Sequence, residues 1–350
     1  MHPGTDRQLT RRGVLAAGGA TALGALLAAC GTSSPAKGSA QDAASGAAGS
    51  GPWTFTDDRP KKLSAPHTPT RIVAFTGAAA ALVDLGLDQK RIAGVFGETK
   101  DADGKADPQA GDLDVDKVTI LGNAYGEFDV EKYAALQPDL LVTHMYDPGA
   151  FWYVPDESKS DILKINPNVA GITVARVPLT RPIEHYARLA ASLGADTNAE
   201  KVTAAKARFE AAAEAVRQAA KANPGIRVLA CSASADLFYV SNPHVSADLM
   251  YFAELGVDVV VPDKPDADGY YESLSWENAG KYPADLLLLD DRSTALQPKD
   301  LTGKPTWAQL PAVKAGQVSP WDTVPRFSYA GAAPLLERLA KAISSAKKVS

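Results

Sequence analysis

Phe128-Asp129-Val130-Glu131 leading to Gln137-Pro138-Asp139-Leu140-Leu141-Val142, and Leu274-Ser275-Trp276-Glu277 leading to Tyr282-Pro283-Ala284-Asp285-Leu286-Leu287-Leu288, are two copies of one pattern. Glu131 to Asp139 and Glu277 to Asp285 have the same spacing. Each copy reads as a short helix, a proline-containing turn and a buried strand, because the apolar period changes at the proline and the run after it carries no polar face. Working outward from the first copy, strands are expected at 71–75, 92–96, 118–121, 140–144 and 172–177. Around the second they are expected at 227–233, 237–240, 257–261, 285–290 and 317–319. Short strands separated by helical patterns argue for parallel sheets built from βαβ units. Between the halves, 181–222 is almost all helix formers apart from Gly194, and Asn223-Pro224-Gly225 ends it. The part from Asn198 to Ala222 would be a rod of ~35 Å. It sustains no heptad, so it reads as a spine between two α/β lobes rather than a coiled coil.

The first thirty residues read as an export signal. Thr10-Arg11-Arg12-Gly13 precedes an apolar stretch from Val14 to Ala29. Paired arginines ahead of a weakly apolar, Ala- and Gly-rich run are the layout of the twin-arginine route. The run is shorter than the ~20 residues that span a bilayer comfortably. It ends in Leu27-Ala28-Ala29-Cys30, which resembles the lipobox of bacterial lipoproteins. That resemblance implies cleavage after residue 29 and a diacylated Cys30, placing the protein on the extracytoplasmic face of the cell membrane. Gly31 to Gly51 are almost entirely small residues. Such a segment buries too little apolar surface to offset its chain entropy and is expected to be a disordered tether of ~25 Å reach.

About 300 residues remain for folded structure. Hydrophobic residues are 45% and charged residues 22%, an ordinary globular balance. With a net charge of −5 and no basic run beyond the signal, nucleic acid is not an expected partner. Cys231 has no second cysteine besides Cys30 and sits in Val228-Leu229-Ala230-Cys231, the setting of a core thiol. No Gly-x-Ser-x-Gly elbow, Ser-x-x-Lys pair or catalytic cysteine setting is present, so a secreted hydrolase is not the expected function. His67, His144, His185 and His244 are scattered without zinc-site spacing. No cofactor or protein-bound metal is expected, nor a second copy of the chain.

Taken in order, several segments resemble the substrate-binding proteins of iron-siderophore and cobalamin ABC importers. They are Thr70-Arg71-Ile72-Val73-Ala74 with a helix ending Leu85-Gly86-Leu87, the 130–142 pattern, the long helix, and Leu237-Phe238-Tyr239-Val240 with a helix ending Glu254-Leu255-Gly256. Ser275 to Leu289 and Trp307 to Val318 complete the set. The resemblance covers about residues 66–346. It implies an α/β fold of two Rossmann-like lobes joined by a long rigid helix, with ligand in a shallow cleft between them. The expected organisation is signal 1–29, lipidated Cys30 and tether 30–52, N-terminal lobe 53–190, connecting helix 191–225 and C-terminal lobe 226–350.

The loops after the strands are rich in aromatics, which suits ligand contact beyond the carboxyl ends of parallel strands. Candidate ligand contacts are Tyr125, Tyr146, Trp152, Tyr153, Tyr239, Arg292, Trp321, Arg326, Phe327 and Tyr329. A ferric trihydroxamate has its metal fully occupied by ligand oxygens. It asks for aromatic faces and one or two donors, and Arg292 and Arg326 can give charge-assisted hydrogen bonds. A ferric tris-catecholate carries three negative charges and would need a denser Lys/Arg cluster than Arg176, Arg292 and Arg326. The acidic loop 101–116 reads as a solvated loop that could also suit a cationic ligand tail. Cobalamin or haem is the alternative ligand, with His144 or Tyr146 as an axial candidate. The family's permease-docking glutamate is missing from Gly77-Ala78-Ala79-Ala80-Ala81. The resemblance therefore shifts the docking role to Asp84 in the first half and, in the second, to the candidates Asp248 and Glu254, of which Asp248 is taken with Asp84 as the expected partners of the ABC importer permease.

Overall fold

The computed structural model describes residues 51–292 and 295–350. The export signal, Cys30 and all but the end of the tether lie outside the described residues. Among the described residues, no helix is long and apolar enough to cross a membrane.

The first lobe opens with an antiparallel hairpin, β1 (Trp53–Thr56) and β2 (Lys62–Ala65). A five-stranded sheet follows, with β3 (Ile72–Phe75), β4 (Ile92–Phe96), β5 (Thr119–Ile120), β6 (Leu140–Met145) and β7 (Val169–Thr173) in the order β5-β4-β3-β6-β7. Every pairing in it is parallel. Both faces are covered by helices, so β3 and β6 are buried along their whole length; β3 is accordingly an unbroken apolar run and β6 opens with one, Leu140-Leu141-Val142. The chain winds outward from β3 to β5, then returns to β6 on the other side. Such a reversal opens a crevice at the carboxyl ends of the strands. The last strand of this sheet lies three residues earlier than the sequence suggests.

Four helices accompany this lobe: α1 (Thr76–Asp84), α2 (Val130–Leu136), α3 (Asp156–Ile165) and α4 (Thr180–Ser192). The long helix α5 (Glu200–Ala222) is shorter than the 191–225 segment expected, because the chain breaks at Gly194, whose φ is +80°. One face of α5, carrying Val202, Phe209, Ala213, Val216 and Ala219, is buried. It packs against the C-terminal helix Tyr329–Ser345.

The second lobe contains β8 (Arg227–Ala233), β9 (Leu237–Ser241), the helix α6 (Ala247–Glu254), β10 (Asp258–Val259), β11 (Tyr271–Ser275), β12 (Leu286–Asp290) and β13 (Val318–Trp321). Its sheet runs β11-β9-β8-β12-β13, with β10 also on β8. Here the expectation of purely parallel sheets is corrected. The pairings β8–β12, β12–β13 and β8–β10 are parallel, but β8–β9 and β9–β11 are antiparallel. The short link after Ala233 allows only a hairpin, since a parallel return needs a crossover. The helix expected at Ser275 shrinks to one turn, Trp276–Asn278.

The internal duplication has a physical counterpart. Asp139 N–H donates to the Arg71 carbonyl (2.8 Å), and Arg71 N–H donates back to Asp139 Oδ2 (3.0 Å). Asp285 N–H donates to the Arg227 carbonyl (2.9 Å), and Arg227 N–H donates to Asp285 Oδ2 (2.9 Å). Each proline turn thus delivers an aspartate that ties the start of its strand to the start of the lobe's first core strand.

The two lobes share one apolar core, running from Trp53 to Ala346, and the second lobe adds a smaller cluster around Phe238, Trp276 and Trp307. Polar ties reinforce this. Arg176 N–H donates to the Val245 carbonyl (2.9 Å) and Leu179 N–H to that of Ala247 (2.8 Å). A shared core of this kind resists wide opening of the lobes.

Candidate functional site

The carboxyl ends of β6, β8, β12 and β13 converge on a cavity of about 250 Å³. From the first lobe come Tyr146 and Asp147, just past β6, and Trp152. From the second come Asp290 and Arg292 at the end of β12, Trp321 at the end of β13, and Phe327 on the loop beyond it. Tyr270, Tyr271, Ser232 and Asp248 complete the polar and aromatic lining used below.

The donors in this cavity are held in place. Asp290 is 0% exposed. It accepts from Ser232 Oγ (2.9 Å), Arg292 Nε (3.0 Å) and Arg292 Nη2 (2.7 Å). A buried carboxylate needs this many donors to be tolerated. The arrangement fixes the guanidinium plane and leaves Nη1 outside these bonds. The Tyr146 hydroxyl is buried with no hydrogen-bond partner among the described residues. Burial pushes its pKa well above the usual phenol value, so it remains a donor at any physiological pH. A buried unpaired hydroxyl beside a half-free guanidinium is a site short of an oxygen acceptor.

Arg176, by contrast, is fully committed. Its Nη1 donates to the Tyr146 carbonyl (3.0 Å) and Asp147 Oδ1 (3.0 Å), and its Nη2 to the Asp268 carbonyl (2.8 Å). It pins one lobe to the other rather than facing a ligand. Its own backbone is left-handed, with φ +59°, a conformation that persists in a non-glycine residue only when surrounding contacts hold it.

A second cavity of about 360 Å³ adjoins the first and shares Tyr146, Asp147 and Trp152 with it. Tyr125 and Tyr153 line it. Their rings meet edge to face at 5.1 Å, and Tyr153 gives its hydroxyl to Glu98.

Of the ten candidate contacts, Tyr146, Trp152, Arg292, Trp321 and Phe327 line the first cavity, and Tyr125 and Tyr153 the second. Three line neither. The Tyr239 ring lies against Tyr271, at 6.1 Å between centroids. Arg326 turns toward the other lobe, where Nη1 donates to the Pro108 carbonyl (2.9 Å) and Nε approaches Asp84 Oδ2 at 3.4 Å. Tyr329 starts the C-terminal helix and packs on Phe209 of α5. The loop 101–116 closes on itself, with Asp101 and Asp107 accepting local backbone N–H groups, and lines neither cavity. Asp290 escaped the sequence reading. Its signal was present, as an acid closing the apolar run of β12 two residues before an arginine.

The expected docking role of Asp84 and Asp248 is corrected by their burial. Asp84 is 3% exposed and Asp248 is 2% exposed. Asp84 accepts from Ser328 Oγ (2.6 Å), tying α1 to the last loop. Asp248 Oδ2 accepts from Trp321 Nε1 (2.6 Å) in the floor of the first cavity. A permease arginine reaches neither carboxylate while these contacts stand. His144 is likewise closed off as an axial ligand. It is 1% exposed and ringed by Phe75, Tyr146, Tyr186 and Phe327. Burial holds its pKa down at about 3, and the ring stays neutral.

Burial pushes Asp248 up to about 7, against which the Trp321 hydrogen bond works only in part. The unfolded chain has this carboxyl near 3.8. The folded protein therefore binds the proton more tightly. Its stabilising contribution is complete below pH 3.8 and is lost as pH rises through 7. Asp248→Asn keeps an oxygen acceptor for Trp321 and removes the titration. The variant is expected to gain stability over the parent between pH 4.5 and pH 8 by on the order of 1–4 kcal/mol. Urea unfolding of both proteins at the two pH values measures this, and an equal difference at both would rule out the raised carboxyl.

The family described as periplasmic binding protein matches residues 72–325. Among solved structures, the ferric-siderophore receptor DesE from Streptomyces coelicolor is 52% identical, with a TM-score of 0.80, over 85% of this chain and 100% of that one. The petrobactin-binding protein YclQ from Bacillus subtilis is 19% identical, with a TM-score of 0.62, over 84% and 99% of the two chains. The triscatecholate siderophore binding protein FeuA from Bacillus subtilis, complexed with ferri-bacillibactin, is 19% identical, with a TM-score of 0.58, over 83% and 96%. The latter two speak for the fold alone. A comparison with curated proteins gives no match. The chain belongs to the periplasmic binding protein family, in the group of ABC-importer substrate-binding proteins that serve siderophores and cobalamin.

Proposed function

We propose that the protein captures a ferric siderophore of the hydroxamate type in the first cavity and delivers it to an ABC importer permease. On this reading it works from the outer face of the cell membrane, held there by lipidated Cys30 after twin-arginine export. It acts as a binding protein rather than an enzyme. The 52% identical chain described as a ferric-siderophore receptor supports the ligand class.

The observation that carries the hydroxamate reading is the charge and donor pattern of the cavity. Its lining holds one cation, Arg292, against the carboxyls of Asp147, Asp248 and Asp290. Asp290 is paired with that cation, Asp147 with Arg176, and burial raises the pKa of Asp248 to about 7, so the lining offers no uncommitted positive charge. A complex with three negative charges would find nothing to offset its desolvation in this partly buried cleft, whereas a neutral or cationic trihydroxamate has no such charge to compensate. Its oxygens can take Arg292 Nη1, the donor left outside the Asp290 bonds, while Tyr146, Trp152, Trp321 and Phe327 cover its aliphatic links.

Trp152 and Trp321 line the cavity, so an iron chromophore bound there should quench their fluorescence. Titration with a ferric trihydroxamate is expected to give saturable sub-micromolar quenching. A ferric tris-catecholate, cobalamin and haem are expected to bind far more weakly. Tighter binding of the tris-catecholate would overturn the hydroxamate assignment, and silence toward all four would overturn the siderophore reading.

A further inference from the structure

The second cavity has a lining of a different kind from the first. No lysine or arginine lines it, while Asp147, Asp156 and Glu157 stand at its mouth. Asp147 is paired with Arg176 at 3.0 Å, but neither Asp156 nor Glu157 has an ion pair among the described residues. The walls are the rings of Tyr125, Trp152 and Tyr153. Tyr125 is 72% exposed. Apart from contacts with the Trp152 and Tyr153 rings, at 5.7 Å and 5.1 Å, nothing in the core accounts for a tyrosine at this position. Aromatic faces attract cations through the ring quadrupole, and carboxylates at the rim add to that attraction. Phe151 also lines this cavity, but its ring already carries two of the protein's own cations, the Arg59 guanidinium at 4.7 Å and the Lys159 ammonium at 5.0 Å from its centroid, so a ligand cation is left to the rings of Tyr125, Trp152 and Tyr153.

We infer that this cavity is a second subsite that takes an organic ammonium group, carried on an aliphatic arm of the ligand whose iron-bearing body fills the first cavity. The inference rests on the siderophore reading of the first cavity and adds a specificity to it. The geometry allows a single ligand to occupy both, because Tyr146, Asp147 and Trp152 form a common wall. A linear trihydroxamate with a terminal primary amine has such an arm. A cyclic trihydroxamate does not, and N-acetylation of the linear one removes the charge at constant length. The subsite also assigns the cationic tail to Asp156 and Glu157 instead of the loop 101–116.

The test compares three ferric trihydroxamates on the purified protein by tryptophan quenching: the linear amine, its N-acetyl derivative and a cyclic form. The amine is expected to bind roughly tenfold more tightly than the N-acetyl derivative, which is ~1.4 kcal/mol. The preference should shrink as salt rises, because the rim acids are exposed and screened. The double variant Asp156→Asn/Glu157→Gln should lose most of the preference while binding the N-acetyl and cyclic forms as the parent does. Both residues are exposed, so the variant is expected to fold, and urea unfolding verifies that. Equal binding of amine and N-acetyl derivative by the parent overturns the subsite and leaves the first cavity's assignment intact. A preference that survives the double variant and high salt also overturns it. Failure of all three complexes to bind overturns the siderophore reading, and the subsite with it.

Discussion

Replacing Arg292 by alanine is expected to weaken binding of a ferric trihydroxamate by ~10- to 100-fold, the equivalent of one lost charge-assisted hydrogen bond. The guanidinium cannot deprotonate, and Asp290 holds two of its three nitrogens. A ligand oxygen at Nη1 therefore meets a donor whose orientation is fixed before binding, so little entropy is lost in using it. Alanine has a second consequence. It leaves the fully buried Asp290 with Ser232 Oγ as its main remaining side-chain donor, and an uncompensated buried carboxylate destabilises the fold. Three variants separate the two losses. Arg292→Ala should lose both affinity and stability in urea unfolding. Asp290→Asn/Arg292→Ala should recover stability without recovering affinity. Arg292→Lys keeps the charge but not the planar fork and should fall between parent and alanine in fluorescence titration. Parent-like affinity in the alanine variant would remove Arg292 from the binding site.

The reach of the sequence reading follows from what a side-chain pattern encodes. The strands Ile72–Phe75, Leu140–Met145, Arg227–Ala233 and Leu286–Asp290 are central and covered on both faces, so each holds an apolar stretch of at least three residues, and the polar ones, such as Arg227, Ser232 and Asp290, fall at or near strand ends. The edge strand Tyr271–Ser275 alternates exposed and buried residues and sits where a helix start was expected. Its buried positions are Glu272 and Leu274 while Tyr271 faces outward, so no apolar face marks the five residues as a strand. Its antiparallel pairing was not legible. In the cleft, position at or just beyond the end of a strand picked out Tyr146, Trp152, Arg292 and Trp321, all of which line the first cavity. It could not tell which side of a loop a residue faces. Phe327 points into the cavity, while its neighbours Arg326 and Ser328 turn to Asp84. Direction within an irregular loop depends on contacts made far away in sequence, and no local period records them.

Asp84 shows the same point with a larger consequence. Its helix is buried on nearly every face, from Thr76 through Leu82. A helix that is apolar all round is enclosed, so a lone acid on it is expected to be partnered inside rather than offered to another protein. Asp84→Ala removes the acceptor of the 2.6 Å bond from Ser328 and the contact with Arg326, and is expected to destabilise the fold by about 2–4 kcal/mol. Asp84→Lys places a second cation beside Arg326 in a buried position and is expected to prevent stable folding. Because Arg326 and Ser328 flank Phe327, a cavity residue, the alanine variant should also bind ligand more weakly. A docking role predicts the opposite pattern, in which the lysine variant folds and binds ligand as the parent does and loses only uptake. Urea unfolding and ligand titration of the two variants, alongside uptake by whole cells, separate these outcomes. Parent-like stability and affinity in Asp84→Lys would show that the contact to the last loop is dispensable. The expected result, joint loss of stability and affinity in Asp84→Ala, would make Asp84 the anchor that joins helix α1 to the cleft wall.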